Sequence, residues 1–249
     1  MSLNEKISAF ARSKGADLVG VASTDRFDET EPDPERKARF FLGGGSAIIV
    51  IGLKVVDAVL DPLRGRPDPY SENFKGYLAN YNYNLLDFIA VQTARYIEEM
   101  GYDAYPAQAR VTNREKDTGV FSHKPAAVWA GLGQVGKSSL VITPEFGPRQ
   151  RLVSVITDAP LKCFDGPLPP NGAICGGCKM CIEACPKQAI AYDETTRVTR
   201  VDKVRCREAM NTFPQCALCQ GICPFGHTAA RKRRARRCDG GPDAAGVAD

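Results

Sequence analysis

Seven of the ten cysteines in this chain fall into two runs that each end in Cys-Pro. The first is Cys175-Gly-Gly-Cys178-Lys-Met-Cys181-Ile-Glu-Ala-Cys185-Pro186; the second is Cys216-Ala-Leu-Cys219-Gln-Gly-Ile-Cys223-Pro224. Thiolates at the first spacing hold iron–sulfur cubes, and the fourth cysteine of such a run ligates the other cube of a pair. The reason is geometric: a [4Fe–4S] cube needs four thiolates at tetrahedral corners, and a short loop reaches three. On that logic Cys175, Cys178, Cys181 and Cys223 complete one cube. Cys216, Cys219 and Cys185 leave the other one ligand short. Cys206, ten positions before Cys216, is the best candidate for it, and Cys163 and Cys238 are then spare. The chemistry expected is one-electron transfer through two [4Fe–4S] clusters.

Two other uses of cysteine fit less well. A structural zinc site takes two Cys-x-x-Cys pairs, and the first run has one thiolate too many. Disulfides need an oxidising compartment. The opening Met1-Ser2-Leu3-Asn4-Glu5-Lys6 offers neither an apolar signal core nor a twin arginine, so a cytoplasmic protein is expected.

A second motif competes for attention. Gly131-Leu132-Gly133-Gln-Val-Gly136-Lys137-Ser138 matches both the G-x-G-x-x-G dinucleotide fingerprint and the G-x-x-x-x-G-K-S phosphate loop. Both require a strand leading into the glycines and a helix after them. The preceding Lys124-Pro-Ala-Ala-Val-Trp-Ala130 is alanine-rich and suits a helix. The acidic residue wanted about twenty positions on is replaced by Arg149, Gln150 and Arg151. A glycine turn approaching some other large cofactor is the better reading, because glycine permits close backbone approach.

The elements that position these residues read as mixed helix and strand. Residues 3–14 are amphipathic, with Leu3, Ile7, Phe10 and Ala11 on one face, and Gly15 caps them. Short strands are expected at Leu18–Ala22, 47–53, 103–107 and Leu152–Thr157. Residues 57–75 read as loop and 77–99 as a long helix preceded by the aromatics Tyr70, Phe74, Tyr77, Tyr81 and Tyr83. Residues 124–131 and 135–142 read as helical or mixed. The connector Asp165-Gly-Pro-Leu-Pro-Pro-Asn-Gly172 marks a boundary. The expected organisation is an α+β domain over 1–162, a ferredoxin-like double-cluster domain over 163–228, and a basic, disordered tail over 229–249.

The 249 residues are 43% hydrophobic, enough for a real core, and no apolar stretch reaches membrane-span length. The formal charge of +4 omits the clusters and says little about partners. Arg231-Lys-Arg-Arg-Ala-Arg-Arg237 is read as a solvated run rather than a nucleic-acid site.

Taken together, Ala130–Arg149, Thr157-Asp-Ala-Pro-Leu161, the two Cys-Pro runs and the isolated Cys206 resemble the shared core of epoxyqueuosine reductases and corrinoid reductive dehalogenases. The resemblance covers roughly residues 110–226 well and 1–105 more loosely. It implies a nitroreductase-like N-terminal domain that binds a corrinoid (cobalamin), with Gly131, Leu132, Gly133, Gly136, Lys137 and Ser138 against it. It implies that Cys206 is the extra ligand of the second cluster. It also implies a proton-donating Asp117, since Asp117-Thr118 stands fourteen residues before Gly131. His123 is a competing donor, because an ordinary histidine titrates near neutral pH. Residues after Cys223 are too few for the helical-repeat extension that epoxyqueuosine reductases use for tRNA, so nucleic acid is not an expected partner and the substrate does not carry over.

The function expected is an iron–sulfur oxidoreductase. It would take electrons from a low-potential donor of ferredoxin or flavodoxin type and pass them through a corrinoid to a small-molecule substrate, with no membrane partner. Two alternatives remain at this level: a non-catalytic electron carrier, and a reductase or activator of a partner corrinoid protein.

Overall fold

The computed structural model describes residues 1–61, 76–113, 115, 118–212 and 216–226. Tyr70, Phe74, Asp117, Cys238 and the basic run 231–237 lie outside these residues, as do the greater part of the expected 57–75 loop and the tail.

The chain opens with α1 (Leu3–Ser13). Ser2 caps it through a reciprocal pair of bonds with Glu5, which satisfies two otherwise orphaned amides. Then come β1 (Leu18–Ser23), α2 (Thr24–Thr30), a 3-10 turn at Pro34–Arg36, α3 (Ala38–Phe41) and β2 (Ala47–Lys54). A short α4 (Asp57–Leu60) occupies the start of the stretch expected to be loop. A π-helical turn at Leu78–Asn82 feeds α5 (Tyr83–Glu98), followed by β3 (Ala104–Ala107). Two two-residue strands, β4 (Thr112–Asn113) and β5 (Thr118–Gly119), pair ahead of α6 (His123–Trp129).

The main sheet is antiparallel in the order β1-β2-β8-β3, where β8 is Gln150–Thr157. Its central strand reads Ala-Ile-Ile-Val-Ile-Gly-Leu-Lys and is buried on both faces, which is why apolar residues run on without alternation. Side chains still alternate between two cores. Ile49, Ile51 and Leu53 meet residues of α1 and α5 on one face. Ile48 and Val50 meet Phe27 of α2 and Ala126 and Ala127 of α6 on the other. The result is a three-layer α+β unit.

Residues 135–142 depart from the helical or mixed expectation. They form a hairpin of β6 (Gln134–Val135) and β7 (Val141–Ile142), closed by Gly136 N–H donating to the Leu140 carbonyl at 2.9 Å. Ser139 turns the chain at φ 60, a left-handed conformation that ends any helix, and Leu140-Val-Ile then favours extension.

The cysteine module carries α7 (Met180–Glu183), the hairpin β9 (Ile190–Asp193) and β10 (Val198–Val201), α8 (Lys203–Thr212) and α9 (Leu218–Gly221). Two buried side chains fasten it to the sheet domain. Arg149, 0% exposed, pairs with Asp57 at 2.9 Å and Asp61 at 2.8 Å and donates to the Gly221 carbonyl at 3.0 Å. Lys137, 1% exposed, donates to the Gly176 carbonyl at 2.7 Å and pairs with Glu194 at 2.6 Å.

Candidate functional site

The nine described cysteines are all free thiols, and eight of them gather into two groups. Cys175 ends a 3-10 turn, Cys178 follows it, Cys181 sits in α7, and Cys223 arrives from beyond α9. These four line one small cavity with Ile142 and Phe225. Burial pushes the Cys181 thiol up to about 11, helped by the charges of Cys175, Cys223 and Cys178. The second group takes Cys185 after α7, Cys206 from α8, and Cys216 and Cys219 around the start of α9. Burial pushes Cys219 up to about 12, and the neighbouring thiols Cys216, Cys181, Cys206 and Cys185 add to it. Thiols this crowded ionise when a cationic core replaces their protons. Cys181 sits in α7 and Cys219 in α9, and these two helices pack against each other, so the two groups are neighbours.

Both groups receive backbone donors. Lys137 N–H points at Cys175 Sγ at 3.5 Å, and Ala189 N–H at Cys185 Sγ at 3.2 Å. Such bonds stabilise a reduced cluster. Among the described residues no three His, Cys, Asp or Glu side chains converge as they would on a single metal ion; the thiols ring two voids instead. Cys163 stands apart, packed against the sheet core with its thiol on the Leu161 carbonyl.

The Cys185 group lines a larger cavity of ≈ 690 Å³, which includes the space its own cluster would fill. Cys185, Cys206, Cys216 and Cys219 form one wall. Tyr83, His123, Gln150 and Leu152 come from the sheet domain. Gln150 is 6% exposed; its amide nitrogen is held by the Val141 carbonyl at 2.7 Å, and its Oε1 has no partner among the described residues. A buried acceptor left open in this way fits a ligand that carries an N–H. A mostly apolar cavity with a few polar groups is typical of a small-molecule site.

The glycine turn sits differently from the expectation. A helix, α6, leads into it and the β6–β7 hairpin follows, so neither requirement of a nucleotide motif is met. Its glycines make room for protein. A Cβ on Gly133 would come within 2.3 Å of the Ile142 carbonyl oxygen; one on Gly136 would come within 2.4 Å of Ile142 Cδ1 and 3.4 Å of Cys175 Sγ. Gly131 faces the Phe164 ring and Leu132 packs into the core beside β1. Lys137 turns to the cysteine loop. Of the six residues expected around a cofactor, Ser138 is the one lining the large cavity, and it borders the Cys175 void as well.

His123 is held at both ring nitrogens. Gln108 carbonyl oxygen takes its Nε2–H at 3.0 Å, so Nδ1 accepts from Ser154 Oγ at 3.0 Å. Burial lowers its pKa to about 4. A neutral imidazole with its one N–H already committed is no acid near pH 7. Gln150, which sequence reasoning noted only as a missing acid, is the cavity residue it overlooked. The available signal was a polar side chain leading an apolar strand.

Three comparisons bear on this site. Residues 174–227 match the 4Fe-4S dicluster domain. A tetrachloroethene reductive dehalogenase of Desulfitobacterium hafniense is 31% identical over 217 residues, spanning 78% of this chain and 35% of that protein. An epoxyqueuosine reductase of Bacillus cereus is 27% identical over 260 residues, spanning 89% of this chain and 64% of that protein. The chain therefore spans between about a third and two thirds of these relatives. Among solved structures, a reductive dehalogenase described as suggesting a mechanism for B12-dependent dehalogenation shares the fold. Its TM-score is 0.64 at 21% identity, over 94% of this chain and 33% of that one.

Proposed function

The chain belongs to the iron–sulfur family of epoxyqueuosine reductases and corrinoid reductive dehalogenases, and we propose that it is a reductase in which two [4Fe–4S] clusters feed a corrinoid. Cys175, Cys178, Cys181 and Cys223 hold one cluster; Cys185, Cys206, Cys216 and Cys219 hold the other. Electrons enter one at a time from a low-potential donor of ferredoxin or flavodoxin type. The packing of α7, which carries Cys181, against α9, which carries Cys219, supports transfer between the clusters. The N-terminal three-layer unit is read as nitroreductase-like, and the thiol-rich module suits a reducing, cytoplasmic compartment.

The observation that carries this reading is the ≈ 690 Å³ cavity shared by the second thiol group and the sheet domain. A corrinoid there would supply a low-potential cobalt centre for reducing a small-molecule substrate. Gln150 Oε1 would accept from its amide rim, and Tyr83 and Leu152 would keep water from the thiol wall. Asp117, outside the described residues, remains the proposed proton donor.

Equilibrium dialysis of the anaerobic two-cluster protein against hydroxocobalamin tests the reading. About one corrinoid bound per chain is expected, with weaker binding by Gln150→Leu. No binding by protein that holds both clusters would leave an electron carrier.

A further inference from the structure

We infer that Lys137 tunes the reduction potential of the cluster held by Cys175, and that Glu194 moderates it. The inference rests on the two-cluster reading. It starts from the motif that matched a phosphate loop. In such a loop the lysine reaches a phosphate; here it reaches the opposite way, into the cysteine module.

Three contacts define the position. The Lys137 amide donates to Cys175 Sγ at 3.5 Å. Its Nζ donates to the carbonyl of Gly176, the next residue after that cysteine, at 2.7 Å. Its Nζ also lies 4.8 Å from the centre of the Tyr192 ring. The lysine side chain is 1% exposed, whereas its partner Glu194 is 55% exposed. The cation is therefore held in low dielectric beside the cluster loop, and the carboxylate is largely solvated.

That asymmetry decides the sign. A cluster that takes up one electron gains one negative charge, and no proton or bond change accompanies it. A buried positive charge stabilises the reduced form and raises the potential; water screens the outer carboxylate and leaves part of that field standing. A lysine that served only as a strut between loops would have no such signed effect.

Dye-mediated redox titration followed by electron paramagnetic resonance reads both clusters. In Lys137→Met one of the two midpoints should fall, with the reduction equilibrium weakened about tenfold, equal to about 59 mV for a one-electron couple. In Glu194→Gln the same midpoint should rise, and Lys137→Arg, which keeps the charge, should stay near wild type. Glu194→Gln perturbs an exposed partner, so it carries the test if Lys137→Met assembles poorly. A Glu194→Gln midpoint equal to wild type, or shifted downward, overturns the inference. Iron analysis separates the two levels: absence of clusters from the wild-type protein defeats the two-cluster reading itself.

Discussion

Arg149 Nη2 lies 3.0 Å from the carbonyl oxygen of Gly221, while its Nη1 pairs with Asp57 and Asp61. One buried guanidinium thus joins the end of β2, by way of α4, to the last residue of α9, the helix that carries Cys219. Burial pushes the Asp57 carboxyl up, but bonds from Lys54 and Arg149 outweigh it and hold the pKa below the ordinary carboxylate value.

Replacing this arginine should loosen the two domains together. Arg149→Met removes the cation shared by Asp57 and Asp61; Asp57 keeps Lys54 at 3.1 Å, and Asp61 is 30% exposed. Removing one partner of a fully buried pair costs about 3–5 kcal/mol, and the water and Lys54 available to these carboxylates place the expected cost at or below the lower end. The expected outcome is a clear fall in Tm with accelerated cluster loss. Arg149→Lys should rescue only part, because an ammonium cannot match the fork that spans Asp57, Asp61 and Gly221. A Tm within about 1 kcal/mol equivalent of wild type would mean the pair is not a fastening point.

Cysteine replacement separates ligands from bystanders. Cys206→Ala should lower iron and sulfide from about eight to about four of each per chain, whereas Cys163→Ala should keep both clusters. Full iron in the Cys206 variant would remove it from the ligand set.

Much of this was legible in the sequence, for a simple reason. Strands at Ala47–Lys54 and Gln150–Thr157 declare themselves through β-branched residues, and the thiol grouping follows from the reach of short loops. The role of the glycine turn was not. Lys137 meets Gly176 and Glu194 at separations of 39 and 57 residues, and no local pattern encodes such contacts. The same turn hid the β6–β7 hairpin, since Gly-Lys-Ser-Ser can begin a helix as readily as a turn.

The glycines give a steric test of that turn. Gly133→Ala puts a Cβ at 2.3 Å from a backbone oxygen, which only backbone movement relieves. Overpacking of this kind costs about 1–3 kcal/mol. A lower Tm is expected, and neither ATP nor NADH should raise the Tm of the wild-type protein. Stabilisation by either nucleotide would restore the nucleotide reading.

His123 makes a pH-dependent contribution whose sign is fixed. Its folded-state pKa, about 4, lies below the ordinary 6.5. Between these values the unfolded chain binds a proton that the folded chain does not, so stability falls as pH drops through this window and is fully present above it. His123→Gln should lose less Tm than wild type between about pH 7 and about pH 5.5. An unchanged slope would show that the histidine charges freely in the folded protein. The same neutrality means that an alkaline limb in the reduction rate near pH 6.5 should not belong to His123.

Anaerobic stopped-flow mixing of pre-reduced protein with cobalamin tests most directly whether the clusters feed a corrinoid. The prediction is first-order bleaching of the cluster absorbance matched by the appearance of reduced cobalamin within one bound complex. The Cys206→Ala variant should slow that phase by at least about tenfold, because the cluster facing the cavity is lost. Oxidation of the clusters at a rate that rises linearly with cobalamin concentration without saturating, and that is unaffected by Cys206→Ala, would contradict a corrinoid site beside the second cluster.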